Sequence, residues 1–188
     1  QGMAGRTHFL VNLEAALELC MVEFAQRSVG CEGHMLVFLE ENVIDYCDSL
    51  IPILTAILLE GEEQAEAKKV TLRILKLIGR FVPGKTFIEI CMNVSGLKLS
   101  DNEDTAVAGL TGFKAILEGY FEALPPNEGL LDKSETIKTL IQKLGDKEYL
   151  SRITKEMILP YARLFHSVLE SIWTKAQPKE LASILNPL

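Results

Sequence analysis

The chain has 188 residues, of which 48% are hydrophobic, 7% aromatic and 24% charged. That is enough apolar material for one sizeable core, and it excludes a disordered chain. Nineteen Lys and Arg against 26 Asp and Glu give a formal charge of −7, which argues against a general nucleic-acid binder, since phosphate neutralisation needs a basic surface.

The start, Gln1-Gly2-Met3-Ala4-Gly5, has neither a basic leader nor a long apolar run. Residues 1–5 read as a tag remnant or disordered, and residues 6–188 as a single helical repeat domain, possible as a fragment of a longer protein. Phe9, Leu13, Leu17, Cys20 and Phe24 recur at steps of three and four, the mark of an amphipathic helix. After a break at Ser28 to Gly33, residues Met35, Phe38, Leu39 and Ile44 predict a second helix ending near Cys47. Asp48 and Ser49 are cap candidates for a third, Leu50 to Leu59, with Pro52 in its first turn. Ser49 to Leu59 is also the longest uncharged run, eleven residues, where a bilayer requires about 20.

Val70, Ile74, Leu77, Ile78 and Phe81 predict a fourth helix, stopped by Val82-Pro83-Gly84. Lys85 to Leu97 reads as a fifth. Asp101 is the expected cap of a long sixth, striped by Ala106, Leu110, Phe113, Leu117, Tyr120, Phe121 and Leu124. Ile137, Leu140, Ile141 and Leu144 mark a seventh. An eighth runs from Leu150 to Ile172, and Pro160 inside it should kink or split it. Pro178 and Pro187 frame a short last helix. No stretch alternates long enough to require a strand, so the expected fold class is all-α, with eight or nine helices.

The four cysteines, Cys20, Cys31, Cys47 and Cys91, have no zinc spacing. In apolar surroundings they read as buried free thiols, which points to a cytoplasmic protein or a nuclear one. Trp173, Tyr161 and Phe165 are expected in the core or at an end cap. No histidine is paired at metal or catalytic spacing, so no catalytic residue, metal or cofactor is expected.

The helices alternate short and long around tight turns, with pair starts at Asp48, Lys85 and Asp132. Residues Asp48 to Phe81 resemble a HEAT repeat. Leu50, Pro52, Leu54, Ile57 and Leu58 carry the likeness in the first helix. The acidic turn Glu60-Gly61-Glu62-Glu63 follows, then Val70, Leu72-Arg73, Leu75, Leu77 and Gly79. The pattern departs from the family in that Ala65, Ala67, Lys68 and Lys69 intervene before a late Arg73. The resemblance to the HEAT/armadillo class implies an α-solenoid of about four antiparallel helix pairs. It implies a non-catalytic scaffold or adaptor that binds a protein partner on its concave helix faces, as nuclear transport receptors and phosphatase scaffolds do. It also implies that exposed repeat ends can support self-association.

Two signals stand apart from the core pattern. Lys69, Arg73, Lys76 and Arg80 are spaced four, three and four, so they share one helix face. On a concave surface they would attract an acidic or helical segment of a partner. The alternative face is a solvated one, neutralised by Glu62, Glu63 and Glu66.

The other signal is Gly79-Arg80-Phe81-Val82-Pro83-Gly84-Lys85-Thr86, which matches the phosphate-binding loop G-x-x-x-x-G-K-T. In that reading the protein binds a nucleotide through Gly84, Lys85 and Thr86, and a strand must precede the loop. The segment Lys69 to Ile78 opposes it. As a strand it would put charge on both faces, whereas a central parallel strand is apolar on both; as a helix its basic residues gather on one side. A third arrangement is a closed helical bundle carrying a small apolar ligand. Scattering separates it from a solenoid, since a compact globule of this length has a radius of gyration of roughly 16 Å.

Overall fold

The computed structural model describes residues 2–28, 49–81, 99–124, 129–130 and 133–186. Among them there is no strand, and the all-α expectation holds. Helix α1 is Gly2–Ser28. Helix α2 covers residues 49–58. A single 3-10 turn, Glu62–Gln64, leads into α3, Ala65–Phe81. Then come α4, Glu103–Glu122, and α5, Ser134–Leu144. Helix α6 is Lys147–Ser151, α7 is Ile158–Lys175 and α8 is Pro178–Leu185.

Helix α4 is the centre of the molecule. Its buried residues include large side chains, Leu110, Phe113, Ile116, Leu117, Tyr120 and Phe121, and small ones, Ala106, Ala108, Gly109, Gly112, Ala115 and Gly119. A helix apolar around most of its circumference belongs in the interior. Helix α3 packs on it from one side and α7 from another. Helix α1 packs on α3, and α5 on α8.

The α3–α4 contact is a backbone contact made possible by glycine. A Cβ added at Gly79 would fall inside the carbonyl oxygen of Ile116, and one at Gly119 inside the carbonyl oxygen of Lys76. Each helix thus offers a glycine to the other's main chain. One layer further on, Gly112 faces Leu75 of α3 and Leu58 of α2. The interdigitation continues through Val70, Ile74, Leu75 and Ile78, all buried on α3.

Two helices start after short side chains that accept a backbone hydrogen bond. Asn102 caps α4, its Oδ1 accepting from Thr105 N–H at 2.9 Å. This corrects the expectation of Asp101. The helix begins one residue later, and Asp101 instead points outward, 3.4 Å from Arg152. Asp146 caps α6 by accepting from the N–H groups of Glu148 and Tyr149.

Pro160 splits the predicted eighth helix. Residues 152–157 form the break between α6 and α7. Pro160 then sits in the first turn of α7, where a missing N–H leaves no intrahelical bond unmade.

Glu180 fastens α8. Its carboxylate accepts from Gln177 N–H at 2.7 Å and from Leu130 N–H at 3.0 Å. Gly129, at φ +82°, turns the chain there, and any Cβ would also strike Glu180.

Other expectations resolve as follows. Gly2 to Gly5 are the first turn of α1. Tyr161 is half-buried, its hydroxyl donating to the Leu144 carbonyl at 2.8 Å and its ring stacked on Phe165 at 5.9 Å. Burial raises the pKa of Tyr161, and raises that of Tyr149 further. Trp173 does not join them: it is 73% exposed. Successive steps around α7 carry it to the side away from Leu164, Val168 and Ile172, the residues that face the core. The predicted helices at 35–47 and 85–97 and the side chains of all four cysteines lie outside the described residues. So do Asp48, Lys85 and Asp132, the three pair starts.

Candidate functional site

The four cations expected on one face are on one face. Helix α3 runs unbroken from Ala65 to Phe81. With 3.6 residues per turn, Lys69, Arg73, Lys76 and Arg80 line a single flank. Ala67, Val70, Thr71, Ile74, Leu75 and Ile78 take the opposite side and are buried. Lys69, Arg73 and Arg80 are exposed and Lys76 half-exposed.

The flank is bounded by α1 on one side and α4 on the other, and each supplies a carboxylate. Arg73 donates through Nε to Glu14 Oε1 at 2.8 Å and through Nη2 to Glu14 Oε2 at 3.0 Å. This two-pronged contact holds the guanidinium proton more firmly than usual, first through the hydrogen bond and then through the charge of Glu14. Lys76 Nζ stands 2.5 Å from Glu122 at the end of α4. Lys69 meets Glu66 at 3.5 Å, both side chains about two-thirds exposed. Arg80 has no ion pair among the described residues.

Of the three turn carboxylates expected to neutralise the row, Glu66 does so. Glu14 and Glu122 are partners that sequence reasoning missed. They lie 59 and 46 residues from their cations, and no local pattern announces such a pairing.

Between α3 and α4, beside the row, is a groove of about 180 Å³. Leu72, Arg73 and Lys76 line it from α3, and Thr111, Lys114, Ala115 and Glu118 from α4. Lys114 and Glu118, one turn apart on α4, form a close ion pair. The floor is apolar, through Leu72 and Ala115, and the rim carries three cations. Such a groove can receive an extended or helical segment that brings carboxylates to the rim and small apolar side chains to the floor.

The phosphate-loop motif loses its framework here. Its first three residues, Gly79, Arg80 and Phe81, are the last turn of α3. The strand that such a loop needs before it is a helix. Gly79 is fully used in the packing of α3 against Ile116, which accounts for a glycine at that position without a phosphate. Gly84, Lys85 and Thr86 lie outside the described residues. Among the described residues no group of three or more His, Cys, Asp or Glu is placed to hold a metal ion. None of the described helices is long and apolar enough to cross a membrane.

Comparison of the chain with family models, with curated proteins and with solved structures finds no match.

Proposed function

We propose that this chain is a non-catalytic protein-binding scaffold of the HEAT/armadillo-like class, working in the cytoplasm. Its helices stack as pairs, and a partner segment that is acidic and helical lies along the exposed flank of α3. The observation that carries this reading is the row Lys69, Arg73, Lys76 and Arg80 on one flank of α3, with Arg73 and Lys76 on the rim of an open groove with an apolar floor. The helix–turn–helix layout of residues 49–81 and the succession of α1, α3, α4 and α7 support the stacked arrangement.

The ion pairs divide the row by role. Arg73 ties α3 to α1, and Lys76 ties α3 to α4. Lys69 and Arg80 tie nothing distant among the described residues. Charge reversal at Arg73 and Lys76 therefore tests stability as well as binding. Arg73→Glu with Lys76→Glu would set new carboxylates beside Glu14 and Glu122. The expected result is a stability loss of about 1–2 kcal/mol, since pairs this exposed contribute little each and reversal adds repulsion.

Lys69→Glu with Arg80→Glu is the cleaner binding test. Thermal melting is expected to stay where it is. Proteins captured from a cell extract on immobilised wild type are expected to be lost from the double variant. Capture of the same proteins by both would overturn the role of the row.

The phosphate-loop alternative is tested by calorimetric titration of magnesium-ATP into wild type and Lys85→Ala. No heat is expected from either. Micromolar binding that disappears in Lys85→Ala would instead make this a nucleotide-binding protein.

A further inference from the structure

Every polar side chain that lines the groove between α3 and α4 already has a partner. Arg73 holds Glu14 through two hydrogen bonds, Lys76 holds Glu122, and Lys114 holds Glu118. The hydroxyl of Thr111 donates to the Val107 carbonyl at 2.9 Å. The groove therefore meets a ligand with cations rather than with neutral donors. Any anion that enters must win those cations from carboxylates tethered beside them.

That requirement selects the anion. An aspartate or glutamate of a partner brings one charge on two oxygens. It competes as an equal with Glu14, Glu118 and Glu122, and these have the advantage of belonging to the same molecule. A phosphate monoester brings about −1.5 to −2 charges at pH 7 on three acceptor oxygens. It attracts each cation more strongly than the carboxylate it displaces, and one phosphate serves several cations together. Arginine takes phosphate in the same two-pronged way that Arg73 takes Glu14. Lys76 and Lys114 approach from facing helices on flexible stems and supply point charges.

Size selects what bears the phosphate. The groove holds about 180 Å³, below the roughly 300–1,000 Å³ of sites that enclose a whole small ligand. It has room for a phosphate and the carbons next to it, and not for a nucleotide. Leu72 and Ala115 on the floor suit the methylene or methyl of a hydroxyl side chain. We infer that the groove recognises a phosphorylated serine or threonine of a partner protein, with Arg73, Lys76 and Lys114 holding the phosphate. The three carboxylates set the threshold that reserves these cations for a dianion. The inference rests on the scaffold reading for the partner's being a protein; the phosphate site rests on the groove itself.

Chemical-shift titration of the isotope-labelled full chain with phenyl phosphate and with benzoate tests the site. The two probes share a ring and differ in the anion. Phenyl phosphate is expected to shift the amides of residues 72–76 and 111–118 saturably, and to bind several-fold more tightly than benzoate. Equal affinity for the two, or shifts confined to other helices, would overturn the inference. Lys114→Gln is expected to weaken phenyl phosphate several-fold. Glu118→Gln is expected to tighten it, because it frees Lys114. Loss of fold cannot produce opposite effects from the two halves of one ion pair. Weaker binding in both variants would overturn the inference. Lys179→Gln, an exposed cation on α8, is expected to change nothing.

Capture from a cell extract divided in two, one half treated with phosphatase, tests the source of the phosphate. Proteins retained by the immobilised wild type from the untreated half are expected to be lost from the treated half, and lost from Lys114→Gln in both. Equal capture from the two halves would overturn the phosphoprotein partner and leave the scaffold reading standing. Capture from neither half would overturn both.

Discussion

Gly79→Ala and Gly119→Ala are each expected to lower the melting temperature by several degrees, while Gly5→Ala leaves it level or raises it. All three glycines are inside helices, where alanine is favoured by about 1 kcal/mol. At Gly5 nothing lies within 4 Å of an added Cβ, so the propensity gain stands alone. At Gly79 and Gly119 the added carbon meets a carbonyl oxygen of the facing helix. A main-chain atom cannot rotate away as a side chain can, so α3 and α4 must separate. Overpacking of this kind costs about 1–3 kcal/mol even where neighbours give way, and here every contact along the seam loosens with it. At roughly 2–4 °C per kcal/mol for a chain of this size, a net loss near 2 kcal/mol reads as a fall of about 4–8 °C. Differential scanning calorimetry of the three variants decides it. Equal behaviour of Gly5→Ala and Gly119→Ala would mean that the helices do not touch as described.

Phe113→Ala is expected to be more damaging still. Phe113 is completely buried on α4, the helix on which α3 and α7 both pack. Removing a buried ring forfeits its transfer energy and leaves a cavity, together about 3–5 kcal/mol. That is a large part of the 5–15 kcal/mol that holds a typical domain together. The matched control is Phe9→Ala on α1, where the ring is 63% exposed; a change there should stay within about 0.5 kcal/mol. Urea unfolding of both variants measures the difference. A Phe113→Ala midpoint near that of Phe9→Ala would show that α4 is not the centre of the core.

How far these features could be read from the sequence depends on which interaction produced them. The stripe Ile137, Leu140, Ile141 and Leu144 of α5 is buried as predicted, because a one-sided helix writes its orientation into its spacing. Helix α4 was legible as a helix but not as the centre. Its predicted stripe is buried, and so are Ala108, Gly109, Gly112, Ala115, Ile116 and Gly119 on the other sides. A helix covered on all but one narrow strip, here Thr111, Lys114, Glu118 and Glu122, has no narrow apolar stripe to single out. Its small residues were the available signal, since they are needed only where another backbone comes close.

The basic row behaves the same way. Its common face follows from helix geometry, but Glu14 and Glu122 reach it through tertiary packing that no spacing encodes. Gly79 shows the opposite error, a letter pattern that suggests phosphate chemistry and a packing contact that explains the letter. Trp173 is expected from the sequence in the core or at an end cap, together with Tyr161 and Phe165, and is exposed instead. The angular positions of Leu164, Val168 and Ile172 were enough to place it on the other side of α7.

The two ends of α3 are joined to their neighbours by different forces. Towards α4 the joint is mainly steric, glycine against carbonyl, and salt acts only on its one charge contact, Lys76 to Glu122. Towards α1 the joint combines Leu10 and Leu17 with the charge contact of Arg73 to Glu14, while Arg6 to Glu60 ties α1 to the turn that leads into α3. Exposed charge contacts weaken as the Debye length shrinks, from about 10 Å at 0.1 M salt to 3 Å at 1 M. The molecule therefore has a hinge side and a rigid side. Raising the ionic strength slackens α1 while α3 and α4 stay clenched, and amide exchange would register that as faster turnover confined to the first helix.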